Sequence, residues 1–265
     1  RFKMKETMSL LHSEWLKIRS TKAFRVSMAF MLLLVPAVSW LEGRQYLSIG
    51  LDATPETVPG LAEAIDPLEY LGLNGASMAG MVLVILAGIL GAMEFQSHSL
   101  RTSLLTCNNR LKLLVGKLMT FTCFSLATSF LSIYFSYMAM HLAIGKEGLD
   151  PILLNQAAWS LILWKTLSLT LLGILSFLLG LLARTMLVPL LFLVPQIYNL
   201  GNYLAAHTSW GTYLPQPAGE LFTATPTSQY VNNPLQGLLI LGAWLLVIGG
   251  MTSLRFLKTD LGGRY

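Results

Sequence analysis

LNGASMAGMVLVILAGILGAM, residues 73–93, is the stretch that decides the class of this protein. It runs for 21 residues without a charged side chain. A helix needs about 20 apolar residues to cross the roughly 30 Å of hydrocarbon in a bilayer. Strands of a membrane barrel would be about 10 residues long and would alternate in polarity. The stretch therefore predicts a membrane-spanning α-helix.

The composition of the whole chain supports the same class. Of its 265 residues, 54% are hydrophobic and 12% are charged, whereas soluble domains contain about 25% charged residues. The long uncharged intervals predict six membrane spans, at 24–41, 73–93, 117–142, 159–183, 185–206 and 235–254. We therefore predict an all-α integral membrane protein in which residues 1–265 form one transmembrane domain with six transmembrane helices.

The positions of the basic residues predict the orientation of the chain. With a cytoplasmic N-terminus, fifteen of the 18 Lys and Arg residues lie on the inner side, as the positive-inside rule requires. An even number of spans then places both termini in the cytoplasm. Because the basic residues flank apolar spans and form no separate basic domain, the lipid bilayer is the expected surrounding and nucleic acid is not an expected partner.

EFQSHSLRTSLLTCNNRLKLLVGK, residues 94–117, follows the second span and carries one acidic and four basic residues. The orientation explains the sign of this charge but not the length of the segment, since a turn between neighbouring helices needs only about two to eight residues. We therefore predict a cytoplasmic loop at 94–116 that is long enough to hold a helix outside the lipid.

The N-terminal segment 4–22 has the pattern of an amphipathic helix. Its apolar residues recur at spacings of four, three, four and three, which places them on one face: Met4, Met8, Leu11, Trp15 and Ile18. Such a helix lies in the inner membrane interface. It serves either as a simple surface anchor or as an elbow that also docks a cytoplasmic partner.

Several kinds of chemistry have no sequence signature here. The chain contains no G-x-x-x-x-G-K-[ST] motif, its four histidines lack metal-ligand spacing, and no span holds a pair of acids or an acid with a histidine. We therefore predict no catalytic residues, no metal site and no enzyme activity. Lys165 is the one charge inside a predicted span; snorkelling to the outer interface is the favoured explanation, and contact with substrate is the alternative.

Small and hydroxylated residues in two spans indicate close helix packing. Ala87 pairs with Gly91 and Gly88 with Ala92 at four-residue spacing, and serines recur along one side of the third span. Packing is favoured over a substrate path. The loop at 207–234 is predicted to be external. Its low charge indicates either that part of it enters the outer leaflet, covered by protein, or that it is a plain outer loop.

Two inner segments resemble motifs of type-2 ABC exporter permeases of the small bacterial six-span kind. SEWLKIRSTKAF, residues 13–24, resembles the opening of that family, in which an acidic residue is followed by Leu-Lys and basic residues. The 94–117 segment resembles the family pattern of Glu, Gly-Thr, a basic residue, and later Arg and Lys. The matching residues are Glu94, Arg101, Arg110 and Lys117, and His98-Ser99 replaces Gly-Thr. YLPQP, residues 213–217, resembles the loop before the last span.

The resemblance implies that 95–109 is a coupling helix that docks on a separate ATPase subunit, present in two copies. It implies the ATPase-coupling residues Glu94, Phe95, His98, Ser99, Arg101, Arg110 and Lys117, and the elbow-helix residues Glu14, Trp15 and Lys17. A second permease, identical or related, would complete the transporter.

The resemblance also implies an activity and a location. The chain would export an amphipathic or apolar substrate, such as the antimicrobial peptides of bacteriocin export and immunity systems, across the bacterial cell membrane. ATP and Mg would be bound by the partner ATPase, so that no cofactor is expected in this chain. The alternative is a secondary transporter or channel that works without nucleotide.

Overall fold

Helices account for all the regular secondary structure that the computed structural model describes. It describes residues 2–61, 63–96, 110–150 and 152–258, and only the backbone of residues 2–8 and 96. Within those ranges the helices are α1 (Phe2–Ser20), α2 (Lys22–Ile49), α3 (Ala76–Gln96), α4 (Arg110–Ile144), α5 (Gln156–Ala183), α6 (Leu187–His207), α7 (Pro215–Glu220) and α8 (Pro234–Lys258).

Six of these helices, all except α1 and α7, are long and apolar enough to cross a membrane. This result confirms the predicted all-α membrane protein with six spans. The helices extend beyond the apolar runs: α4 has 35 residues, or about 52 Å at 1.5 Å per residue. The predicted loop 94–116 is correspondingly shorter, because α3 continues to Gln96 and α4 already begins at Arg110.

Helix α5 lies at the centre of the bundle and makes its most extensive contact with α3. Glycines allow the two backbones to approach closely. A Cβ atom on Gly91 would lie 2.5 Å from the Phe177 carbonyl oxygen, and one on Gly180 would lie 2.7 Å from the Gly88 carbonyl oxygen. The small residues of the second span therefore lie at a helix–helix contact, as the packing explanation requires.

The serines of α4 are fully buried and attach this helix to its neighbours. The Ser132 hydroxyl donates to the Met31 carbonyl over 2.8 Å, and the Ser136 hydroxyl donates to the Gly72 carbonyl over 2.8 Å. Ser39 of α2 lies 2.6 Å from the Ser136 hydroxyl. Of the four serines of α4, Ser132 and Ser136 thus connect this helix to α2 and to the segment before α3.

Two of the spanning helices contain a π turn beside a proline. In α2 the π turn Phe30–Leu34 precedes Pro36, and in α6 the π turn Gln196–Leu200 follows Pro195. Proline lacks the N–H that would continue the helical hydrogen-bond pattern. A π turn is a local widening that accommodates such an interruption without ending the helix.

The segment 207–234 does not form a plain loop. It contains the short helix α7, in which Pro215 to Gly219 are buried, and the following Phe222 is completely buried. The Ser168 hydroxyl of α5 donates to the Gly219 carbonyl over 3.0 Å. The residues that follow α7, 221–224, are buried as well, so α7 and the start of the next segment pack inside the bundle.

The contact between α3 and α5 makes a specific prediction for Gly91→Ala. The added methyl group would meet backbone atoms of Phe177 and Leu181 at 2.5 and 3.0 Å, so the two helices must separate. We expect a loss of about 1–3 kcal/mol, the usual cost of overpacking, measured as a lower unfolding temperature in detergent. Gly242→Ala is the control, since nothing lies within 4 Å of its added Cβ. Equal effects of the two variants would contradict this packing.

Candidate functional site

The predicted coupling residues lie only partly in the described structure. His98, Ser99 and Arg101, with most of the predicted coupling segment 95–109, are outside the described residues. The residues that flank this segment, and those of the predicted elbow helix, can be placed. They lie at one end of the bundle, where α3 ends and α4 begins, which we call the loop end.

Three of the predicted residues meet in a single ionic cluster at the loop end. The Lys117 ammonium of α4 lies 2.7 Å from Glu14 Oε2 of α1 and 2.7 Å from Glu94 Oε1 of α3. We call Glu14, Glu94 and Lys117 the ion triad. It joins the N-terminal helix to both helices that flank residues 97–109.

A fourth charge completes the cluster. The Lys17 ammonium lies 2.7 Å from Glu14 Oε1, one helical turn along α1. Its side chain is 40% exposed, whereas the side chains of Lys117 and Glu14 are 1% and 5% exposed. The cluster is thus built from a deeply buried ammonium between two carboxylates, with the more exposed Lys17 at its edge.

Because the ion triad is buried, its loss should affect the stability of the fold more than the loss of an exposed ion pair. Exposed ion pairs contribute about 0–1 kcal/mol. Removing one partner of a buried pair costs about 3–5 kcal/mol, because the other charge remains without compensation. Lys117 contacts carboxylates from two different helices. We therefore expect the loss of these ion pairs to destabilise the packing of α1, α3 and α4 strongly.

The spacing of residues in the sequence places Glu14 on the face of α1 that packs against the other helices. Glu14 and Ile18 are four residues apart, hence on the same face of a helix, and both are buried. The predicted apolar stripe was therefore incomplete: it contained Ile18 but omitted the acid that lies beside it. An acid next to an apolar stripe is the signal by which this pairing could have been found.

The charges shift the proton affinity of Glu14. Burial acts to raise the pKa of its carboxyl group, but the positive charge and hydrogen bond of Lys117, with those of Lys17, act in the opposite direction and outweigh it. The pKa of Glu14 therefore lies below its ordinary value of 4.5. The carboxylate stays ionised at neutral pH, as its role in the ion triad requires.

Aromatic rings hold α1 beside the ion triad. The Trp15 ring lies 5.8 Å from Phe24 at the start of α2 and 6.0 Å from Phe124 of α4, measured between ring centroids. Phe24 and Phe124 are 5.4 Å apart. These contacts form one aromatic cluster, in which the predicted elbow residue Trp15 packs against two other helices.

The two remaining flanking residues also make contacts at the loop end. The Arg184 guanidinium lies 4.8 Å from the centre of the Phe95 ring, within cation–π range. Arg110 donates to the Leu257 carbonyl over 3.2 Å, near the C-terminal end of α8, where a cation is favourable. Both ends of the segment 97–109 are thus attached to the rest of the bundle.

The structure does not show the predicted snorkelling of Lys165. Its side chain is only 8% exposed, and its ammonium lies 2.8 Å from Glu220 Oε2 at the end of α7. Gln216 donates to the other carboxylate oxygen over 3.1 Å. Sequence reasoning missed Glu220. Lys165 is the single charged residue of the predicted span 159–183, and Glu220 is the single charged residue of 207–234. These two isolated, opposite charges were the available signal for the pair.

Within the described ranges, no group of three or more His, Cys, Asp and Glu side chains could hold a metal ion. The ion triad joins three helices, α1, α3 and α4, by ion pairs. No family model matches the chain, and neither a curated protein nor a solved structure matches it. The resemblance to ABC permeases consequently remains a prediction based on the motifs quoted above.

Substitutions in the ion triad should be strongly non-additive. We expect Lys117→Met to cost about 3–5 kcal/mol, because it removes the buried cation that contacts both Glu14 and Glu94. The triple variant Glu14→Gln, Glu94→Gln, Lys117→Met should be more stable than Lys117→Met alone, since it also removes the charges of the two carboxylates that Lys117 contacts. Arg19→Gln, at an exposed position of α1, serves as the control and should change the stability by less than about 0.5 kcal/mol. Denaturant unfolding in detergent measures all three; an additive result would contradict the arrangement.

The lowered pKa of Glu14 predicts how its stabilising effect depends on pH. A carboxyl whose pKa is lower in the folded state stabilises the fold above its unfolded value and loses this effect as the pH falls through the folded value. The difference in unfolding temperature between wild type and Glu14→Gln should be constant near neutral pH and should shrink below pH 4.5. Glu56→Gln, at an exposed position, provides the baseline. A difference that grows on acidification would refute the assignment.

Proposed function

We propose that this chain is the membrane-spanning permease subunit of an ATP-driven exporter. A separate ATPase subunit, in two copies, would supply the energy by binding and hydrolysing ATP with Mg. A second permease, identical or related, would complete the translocation unit. The observation that supports the proposal is the ion triad, which links α1 to both helices that flank the predicted coupling segment.

The ion triad provides what a coupling element needs. A motor that pushes on residues 97–109 would act on the end of α3 and the start of α4. Because Lys117 binds acids from α1 and α3 at 2.7 Å, a displacement of the loop end would move three helices together. Rigid-body motions of this kind are a common means of transmitting a nucleotide-driven change.

The small number of buried charges in the described spans supports an amphipathic or apolar substrate. The buried charges of the described spans are Lys117 and Lys165, and both are paired with acids. An antimicrobial peptide would fit this description. The bias of basic residues towards one side supports a multi-pass protein with both termini in the cytoplasm, and the resemblance to the bacterial permeases leads us to propose the bacterial cell membrane.

A second candidate function is a secondary transporter or channel that works without nucleotide. One observation favours it: Lys165 and Glu220 form a charged pair near the end of a span, and ionisable residues within a membrane commonly mark ion or proton pathways. The two candidates differ in whether a nucleotide-driven partner acts on the loop end.

The native Cys107 lies in the predicted coupling segment and can test both the orientation and the partner. In a variant with Cys123→Ala, a membrane-impermeant maleimide should leave Cys107 unmodified in intact cells. The same reagent should modify it in inside-out vesicles. Stripping peripheral proteins from these vesicles should increase the modification rate by at least about tenfold, the effect of releasing a partner bound with about 1.4 kcal/mol of favourable free energy at that residue.

Matched variants complete the experiment. Lys146→Cys, placed in a cysteine-free variant at an exposed turn between α4 and α5, should react from outside in intact cells and should be unaffected by stripping. Arg101→Glu should remove the protection of Cys107, because charge reversal weakens docking. ATP should change the protection in unstripped vesicles. Modification of Cys107 in intact cells, or protection that does not respond to nucleotide, would reject the exporter proposal and favour the second candidate.

A further inference from the structure

Three basic residues lie exposed at the junction of α1 and α2, at the loop end. They are Arg19 near the end of α1, and Lys22 and Arg25 in the first turns of α2. None of the three forms an ion pair within the part of the chain that the structure describes. The nearest acid in the sequence, Glu14, is buried against Lys117. The junction therefore carries three positive charges that the described residues do not neutralise.

The spacing of these residues brings their charges into one region. Lys22 and Arg25 are three residues apart in α2, and residues at this spacing are neighbours on a helix surface, with Cβ atoms about 5–6 Å apart. Arg19 is three residues before Lys22, so at most about 11 Å separate their Cα atoms. This distance is close to the Debye length of about 8–10 Å at physiological salt. An anion at Lys22 and Arg25 would therefore also be attracted by Arg19.

The exposed face of α2 continues from these cations as apolar surface. Val26 is 66% exposed and Leu33 is 70% exposed, and the face ends at the exposed Arg44. From Arg25 to Arg44 the helix advances by 19 residues, or about 28 Å at 1.5 Å per residue. The hydrocarbon of a bilayer is roughly 30 Å thick. The basic start of α2 therefore lies at the depth of the lipid head groups.

We propose that Lys22 and Arg25 bind the head group of an anionic phospholipid, and that Arg19 strengthens this binding through its positive charge. An acyl chain of the same lipid would lie along Val26 and Leu33. Arginine binds a phosphate group through two parallel N–H donors, and lysine binds it as a point charge. The surface thus presents cations and apolar side chains in the order in which a phospholipid presents its head group and its tail.

The charges of the site predict which phospholipids it prefers. Phosphatidylglycerol has a phosphate and no cation in its head group. Phosphatidylcholine also carries a quaternary ammonium, which the three basic residues would repel and which has no N–H to donate. Each basic residue near an anionic membrane surface strengthens binding about fivefold. We therefore expect a clear preference for phosphatidylglycerol, which weakens as salt is added.

The apolar part of the surface favours a lipid over an acidic soluble protein. Val26 and Leu33 belong to a helix that is long and apolar enough to cross a membrane, at a depth that a soluble protein does not reach. Leu16, one turn before Arg19 on α1, is 49% exposed, so apolar surface flanks the cations on both helices. A soluble acidic protein would bind the charges alone and would leave this surface uncovered.

The inference is independent of the proposed exporter function. It depends on charges and exposed surface of this chain alone, and it is tested without nucleotide or an ATPase. A failure to bind phosphatidylglycerol would leave the exporter proposal intact, and the absence of an ATPase would leave the lipid site intact.

Binding can be measured on the full-length protein in phosphatidylcholine nanodiscs that contain phosphatidylglycerol with a photoreactive acyl chain. After irradiation, mass spectrometry of proteolytic fragments should find the label on α2 between Val26 and Leu33. The saturation of this label with increasing phosphatidylglycerol gives an apparent affinity. A phosphatidylcholine with the same photoreactive chain should label this part of α2 at least about tenfold less well.

The informative variant is Lys22→Gln combined with Arg25→Gln, which removes both head-group cations from exposed positions. At about fivefold for each cation, the affinity for phosphatidylglycerol should fall about 25-fold. The matched control is Arg44→Gln combined with Lys146→Gln, which removes the same charge from exposed positions at the opposite end of the bundle. This control should change the affinity by less than about twofold.

The outcomes separate the lipid site from its alternatives. A loss of affinity in the first double variant but not in the control would support it, and the unfolding temperatures of both variants in phosphatidylcholine nanodiscs would verify that they fold. Equal labelling by the two lipids, or equal losses in the two double variants, would overturn it. Labelling that soluble polyglutamate abolishes, but that excess unlabelled phosphatidylglycerol leaves unchanged, would also overturn it and would assign the surface to an acidic protein.

Discussion

A lysine ammonium cannot remain without counter-charges in a region from which water is excluded, and Lys117 is 1% exposed. It lies seven residues inside α4, where the helix already packs against α1. Two carboxylates, Glu14 and Glu94, approach it to 2.7 Å and offset its desolvation. These contacts help to fix the position of α1, together with the aromatic cluster around Trp15 and the buried Ile18. The need to neutralise one buried cation thus links α1 to α3 and α4.

The same constraint acts a second time at the other end of the bundle. Lys165 is 8% exposed and is neutralised by Glu220 from α7, a helix of only six residues that also packs through its buried residues Pro215 to Gly219. Between these ion pairs, several buried hydroxyl groups donate to backbone carbonyls of other helices, as Ser132 and Ser176 do. Charged pairs therefore fix the two ends, and the middle of the bundle is held by close packing of small residues such as Gly91 and Gly180.

Hydropathy is a local property of the chain, which is why the six spans could be predicted from the sequence, beginning with residues 73–93. Helix ends were less predictable: α4 includes Arg110 to Gly116, which precede the predicted span, because hydropathy reports the apolar run and not the helix that continues beyond it. The ion triad could be predicted only as three separate motif positions. Glu14 and Lys117 are 103 residues apart, and no local pattern states which acid a buried lysine will meet. For the same reason the sequence indicated a snorkelling lysine where the structure has the Lys165–Glu220 pair.

The ion triad and the π turns of α2 and α6 differ in how easily they can deform. This difference limits how the bundle can move. Removing one partner of a buried ion pair costs about 3–5 kcal/mol, so we expect the ion triad to resist separation, whereas helices commonly kink at prolines and π turns. Both π turns lie beside prolines, in α2 at Phe30–Leu34 and in α6 at Gln196–Leu200. Under the proposed function, a force on residues 97–109 should therefore move α1, α3 and the start of α4 as one body, and the deformation should be taken up in α2 and α6.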